Sequence, residues 1–353
     1  MIQKTVINIP IKKAIQNLVV LLFGVLLWAG SIVNQKQIED YHSGVSVRYV
    51  GPQLTEQQIK YILQSMSDRQ DANIPEITLW QREENILVSR EGMKRSLDVS
   101  LVTVAGDMSK VHPGMLVLGG YPSSEDLVGC ILDRDTARKL FGSENVVGMK
   151  LKLREKEYII RGIMKKGNRN MIIIRAEENG ISDQYSCMEL QFSETHNADT
   201  LAKEFVSTYG LGEPAAYING YAYRYLADRV VHIPVWLCVI WIVILMLRKV
   251  YRWKASLILS ILGYLSIILF SMILFKLTDF RITFPSSLIP NRWSDFDFWV
   301  SQWRKMGDML REREGMLQYY KEIVLRKRFF IVVLGVIPTI IAEVIVIRGM
   351  SRE

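Results

Sequence analysis

Four apolar runs constrain this chain more than any other feature: Leu18–Val33, Ile233–Leu247, Ala255–Phe275 and Phe329–Ile347. They are too long and too nearly uncharged for core helices, because about 20 apolar residues match the hydrocarbon thickness of a bilayer. Between the first and second runs, residues 34–230 carry the alternating patterns and turn residues of a folded domain. The expected fold is therefore a membrane protein with four transmembrane α-helices and a large extracytoplasmic α+β domain between helices 1 and 2. The expected division is a leader at 1–17, spans at 18–33, 231–247, 255–275 and 329–347, a link at 248–254, a second displayed segment at 276–328 and a tail at 348–353. An insertion lobe is expected within the domain at about 107–185.

Composition supports this reading only through its distribution. The hydrophobic share is 49%, which a water-soluble protein also reaches. The formal charge is +8, and the basic residues beside the runs reflect topology and lipid headgroups. No nucleic-acid module is present, so nucleic acid is not an expected partner. Three cysteines occur, one of them (Cys238) inside an apolar run. A Cys130–Cys187 disulfide is one reading, and two buried, unpaired thiols are the better one.

The first run resembles a cleavable signal at Ala29-Gly30-Ser31, but it continues through Ile32 and Val33, which favours an uncleaved anchor. Lys4, Lys12 and Lys13 precede it, and Arg248, Lys249, Arg252 and Lys254 separate the second and third runs. By the positive-inside rule both stretches are cytoplasmic. The large domain is then outside, and both termini lie in the cytoplasm of a multi-pass cell-membrane protein. Arg326, Lys327 and Arg328 oppose this assignment, unless a helix extends outward from the fourth span and carries them above the headgroups.

Within the domain, Val45–Val50 alternates as a strand and Gly51-Pro52 breaks it. Thr55-Glu-Gln-Gln58 fits a capping box opening a helix with Ile59, Ile62, Leu63 and Met66 on one face. Strands are expected at Glu76–Gln81, Ile86–Arg90, Leu97–Ala105, Met188–Phe192 and Ala216–Tyr225. A helix at Asn197–Tyr209 is expected to stop at Gly210. The insertion carries a strand at Val128–Ile131, a helix at Asp133–Leu140 and a strand pair at Leu151–Arg154 and Tyr158–Met164.

The order of pieces in the insertion is distinctive: Ala137, Leu140, Phe141 and Gly142 close a short helix, Gly148 opens the strand pair, and Val104-Ala-Gly106 and Leu118-Gly-Gly120 come before. In this the chain resembles MacB-type ABC transporter permeases, members of a four-span ABC superfamily, over roughly residues 18–230. The resemblance implies a two-lobed, MacB-like core and a permease subunit that pairs with itself or a related permease. It also implies mechanotransmission from a separate cytoplasmic ABC ATPase, which would bind the ATP. No cofactor is expected in this chain, and no catalytic or metal site. The residues agree on one point: no Gly-x-x-x-x-Gly-Lys-Ser/Thr phosphate loop occurs. The chain departs from the family in its short link, Arg248–Lys254, which lacks the usual coupling helix.

Three sets of residues are candidates for interaction. Lys249, Arg252 and Trp253 are candidates for ATPase contact, or are only interface anchors. Trp293, Phe296, Trp299 and Trp303 mark an outer aromatic segment suited to the lipid surface or to an extracytoplasmic protein. Glu343 is an intramembrane carboxylate, close enough to Arg348 to pair with it. The expected function is export or extraction of a peptide, antibiotic or lipid-linked substrate. The alternative is an FtsX-like signalling subunit that controls an extracytoplasmic partner. No constellation of catalytic side chains supports an enzyme.

Overall fold

The computed structural model describes residues 11–41, 44–90, 96–114, 116–123, 125–165, 170–176, 184–193, 197–252, 257–277, 296–297, 300–301, 304 and 319–351. They fall into two units. A helix unit draws on 1–39, 224–289 and 327–353, and a sheet unit on 40–223 and 290–326.

In chain order, α1 (Ile11–Tyr41) precedes β1 (Val45–Arg48), β2 (Leu54–Thr55), α2 (Glu56–Asp68), β3 (Glu76–Arg90) and β4 (Ser96–Ala105). The insertion supplies α3 (Met108–Val111), β5 (Leu116–Gly119), β6 (Gly129–Asp133), α4 (Arg134–Phe141), β7 (Lys150–Leu153), β8 (Lys156–Met164) and β9 (Met171–Arg175). The chain returns through β10 (Gln184–Tyr185), β11 (Cys187–Gln191), α5 (Ala198–Thr208) and β12 (Ala216–Asn219). Three long helices follow: α6 (Gly220–Arg252), α7 (Leu257–Leu277) and α8 (Tyr320–Ser351).

One ten-stranded sheet carries both lobes, in the order β12-β1-β11-β3-β4-β9-β6-β8-β5, with β7 pairing to both β3 and β8. The lobes share it because β3 is long: its first residues pair with β11 and its last with β7. Glu83-Glu84-Asn85 reads as a break between two strands, but it is a bulge inside one, with Asn85 at φ 59°. The expected strand Ala216–Tyr225 is likewise shorter. Its first four residues pair with β1, and helix α6 begins at Gly220. Tertiary context overrides the β-propensity of Tyr221, Tyr223 and Tyr225.

Period-two alternation buries both faces of the sheet. Val99 and Leu101 of β4, Cys130 and Leu132 of β6, and Ile172 and Ile174 of β9 pack with Ala137 and Leu140 of α4. Their neighbours Val102, Val104, Ile131, Met171 and Ile173 form a second core on the opposite face, with Trp80, Met108 and Tyr319. At the other end, Ile59, Ile62 and Met66 of α2 and Ala202, Phe205 and Val206 of α5 cover Val45, Val47, Met188 and Leu190. The expected helix signals are in place. Thr55 Oγ1 accepts from the Gln58 amide at 3.2 Å, and α4 ends in Gly142 at φ 75°. Cys130 and Cys187 are buried and free, so the disulfide reading is replaced by that of two packed thiols.

In the helix unit, α1, α6 and α8 are each long and apolar enough to cross a membrane. The expected span at 255–275 corresponds to α7, whose described apolar stretch, Ser260–Leu274, is shorter. Arg326, Lys327 and Arg328 lie on α8 itself, on the same helix as the apolar run and N-terminal to it.

Candidate functional site

The alternation that sends Val45 and Val47 into one core sends Ser46 and Arg48 to the opposite face of β1. The same rule sends Cys187 and Glu189 of β11 to that face, and the register sets Ser46 opposite Glu189 and Arg48 opposite Cys187. A strand written Val-Ser-Val-Arg ordinarily turns its polar face to water. Here that face is closed: Ser46, Arg48 and Glu189 are all buried.

The start of α8 closes it. Tyr319 is buried to 1% exposure and Lys321 to 2%. Lys321 Nζ lies 2.6 Å from Glu189 Oε2 and donates to the Lys110 carbonyl at 3.2 Å. The Glu189 carboxylate also accepts from Trp80 Nε1 at 2.8 Å and from Ser46 Oγ, and Arg48 stands 3.5 Å away. Arg48 pairs in turn with Glu322 and stacks over the Trp80 ring at 4.2 Å. Glu322 reaches back to the Tyr319 amide at 3.3 Å, as the third residue of a capping box does. The Tyr319 ring packs on Trp80 with centroids 4.7 Å apart, and its hydroxyl meets Met171 Sδ at 3.5 Å. His112 stacks on Tyr320 at 5.2 Å. Two acids and two bases are thus enclosed together. Burial alone would push the Glu189 carboxyl up, but Lys321 and Arg48 beside it reverse this and hold it below the usual carboxylate range.

In the helix unit, α1 and α8 cross closely through small residues. Ser31 Oγ donates to the Val332 carbonyl at 3.2 Å, and Thr339 Oγ1 to the Gly24 carbonyl at 2.9 Å. A Cβ on Gly335 would stand 2.1 Å from Ser31 Oγ, so only glycine allows this approach. Arg328 donates to Asn34 Oδ1 at 2.7 Å, which gives one of the three basic residues a partner on α1.

The residues singled out in the sequence are not brought together. Lys249 is exposed on α6. Arg252 ends α6, its side chain outside the described residues, as is Trp253. Phe296 is exposed, while Trp293, Trp299 and Trp303 lie outside the described residues. Glu343 is partly buried and lies beside the Cys238 thiol of α6. Among the described residues no group of three or more His, Cys, Asp or Glu is placed to hold a metal ion. Sequence reasoning did not find the Arg48, Glu189, Lys321 and Glu322 cluster. Its one local signal is Tyr319-Tyr-Lys-Glu322, charges of both signs opening a helix that then turns apolar.

The sequence model of the MacB-like periplasmic core domain matches residues 18–207, more than half of the chain. The chain belongs to the MacB-like periplasmic core domain family. Members are permease components of ABC systems and generally work with a separate cytoplasmic ATPase. The chain therefore carries a MacB-like extracytoplasmic core domain, matched within residues 18–207. Three solved structures are similar to it. The extracellular domain of the ABC-type transporter YknZ from Gram-positive bacteria is 14% identical, with 50% of this chain and 98% of that one covered and a TM-score of 0.38. The periplasmic region of MacB from Actinobacillus actinomycetemcomitans is 12% identical, with 52% and 91% covered and a TM-score of 0.41. A domain of a putative permease protein from Porphyromonas gingivalis is 12% identical, with 48% and 85% covered and a TM-score of 0.33. Among curated proteins, no sequence matches the chain.

Proposed function

We propose that this MacB-like chain is the permease subunit of an ABC complex that exports or extracts a peptide, antibiotic or lipid-linked substrate. It carries movement from a separate cytoplasmic ATPase, where ATP is bound, to the extracytoplasmic core domain. Beyond family membership, one observation carries this reading: long apolar helices feed the core sheet almost without linkers. Helix α1 ends at Tyr41, just before β1, and α6 starts directly after β12. Movement of either helix must therefore act on β1 or β12, which pair with each other.

The basic residues Lys12, Lys13, Arg248 and Lys249 orient the N-terminus and the α6–α7 link toward the cytoplasm. Both termini are then cytoplasmic, and a second permease, the same chain or a related one, completes the membrane pore. Lys249, Arg252 and Trp253 are the residues best situated to meet the ATPase. The aromatic segment around Trp293, Phe296, Trp299 and Trp303 would lie at the outer lipid surface, and Glu343 serves as a packing contact through Cys238.

A second reading is favoured by the shortness of the link, since α6 ends at Arg252 and α7 begins at Leu257. So small a cytoplasmic face suits an FtsX-like subunit that signals to an extracytoplasmic partner without transport. ATP-dependent efflux separates the two. The complex in proteoliposomes should move a labelled peptide or lipid-linked probe only when ATP is supplied. ATP turnover without efflux of any probe favours signalling, and a tagged chain that retains no ATPase in mild detergent contradicts both.

A further inference from the structure

Three of the long helices contribute residues to the sheet unit, but they are joined to it differently. Helices α1 and α6 are tied by the chain itself, through β1 and β12. Helix α8 has no such tie, because it is preceded by residues 305–318 and adjoins no described strand in sequence. What holds its first turn against the sheet is the set of side chains from Tyr319 to Glu322.

We propose that the Arg48–Glu189–Lys321–Glu322 cluster is the joint that transmits movement of the fourth membrane helix to the core sheet. Lys321 and Glu189 are its positioning residues, and Tyr319 is the plug that fixes its register. The proposal rests on the permease reading above and deepens it.

The chemistry suits a joint rather than a sliding contact. An ammonium group buried to this degree is stable only beside acceptors, and Lys321 meets the Glu189 carboxylate and the Lys110 carbonyl. Glu189 is fixed in turn by Ser46, Trp80 and Arg48, which come from β1 and β3. A small slide would leave charges buried and unpaired, so the arrangement is either engaged or released. A packed apolar contact would tolerate such a slide. The anchoring strands β1 and β11 are neighbours, and β1 is also where α1 enters. The cluster therefore gathers α1 and α8 onto adjacent strands. In the helix unit, the same two helices cross through Gly24, Ser31, Gly335 and Thr339. Helix α8 is thus held at its first turn by the cluster and at mid-length by α1.

The test uses the full chain in lipid nanodiscs with its co-purified ATPase, following hydrogen exchange of β1 and β11 with and without ATP. The double variant Lys321→Met with Glu189→Gln removes one acid and one base together. It should keep the protection of β4 and still retain the ATPase. Its ATP-dependent exchange difference in β1 and β11 should fall by about fivefold or more, the lower end for coupling between sites. Lys321→Arg, which keeps the charge, should retain most of the difference. If the double variant loses protection in β4, Glu322→Gln, which removes the charge facing Arg48 and keeps an amide oxygen to accept from the Tyr319 amide, is read instead and should show the same direction of loss. A folded variant with the wild-type difference overturns the joint while leaving the permease reading intact. A wild-type complex with no ATP-dependent difference overturns both.

Discussion

Lys321 and Glu189 are each enclosed at 2% exposure, and each is tolerated because the other is present. Removing one partner of a buried pair strands the remaining charge and costs about 3–5 kcal/mol. Lys321→Met is therefore expected to destabilise the core domain by about that amount, read by urea unfolding of the full chain in detergent. Adding Glu189→Gln should recover part of the loss, because the buried carboxylate that lost its Lys321 partner is gone. An acid limb follows from the same pair. Glu189 has a depressed folded pKa, so between that value and its ordinary value of about 4.3 the unfolded chain binds the extra proton. Its contribution is fully present above that window and is lost as the pH falls through it. Asp133 acts in the opposite sense, because burial pushes its carboxyl up. Glu189→Gln should flatten the acid-induced loss of stability and Asp133→Asn should steepen it, as measured by denaturant midpoints between neutral pH and pH about 3.

At the scale of elements, two glycines on the membrane helices give a paired test. A Cβ on Gly335 would press on Ser31 Oγ and on the Leu27 carbonyl at 2.9 Å. Gly335→Ala should cost about 1–3 kcal/mol through overpacking of α1 against α8. Gly30 has nothing within 4 Å of its Cβ position, and Gly30→Ala should be neutral or stabilising by up to about 1 kcal/mol. Thermal unfolding in detergent reads both. The elements themselves were largely legible in the sequence, because their signals are local. Thr55 caps a helix, Gly142 ends one at positive φ, and Val99–Ala105 is dominated by β-branched and apolar residues, as a mostly buried strand is. The bulge at Asn85 was not legible, because Glu83-Glu84-Asn85 carries turn residues whether the strand ends or bends. The joint was hidden for a stronger reason. Ser46, Arg48 and Glu189 occupy the alternate positions that usually face water, and their cover comes from Tyr319–Glu322, far along the chain.

The whole molecule joins a unit of long apolar helices to a core domain of the MacB-like family, and the proposed motor is in another chain. Under the proposed topology the motor contact is expected at the α6–α7 link. Lys249→Glu with Arg252→Glu should sharply reduce the ATPase retained by the tagged chain in mild detergent, as a pull-down measures, while the core domain unfolds at the wild-type temperature. The central claim is that ATP hydrolysed on one side of the membrane alters the core domain on the other. Hydrogen exchange of the wild-type complex in nanodiscs, compared with ATP and without nucleotide, tests it most directly. The account predicts an ATP-dependent change in β1, β11 and the first turns of α8. Identical exchange across the core domain in the two conditions, with ATP being hydrolysed, would contradict it.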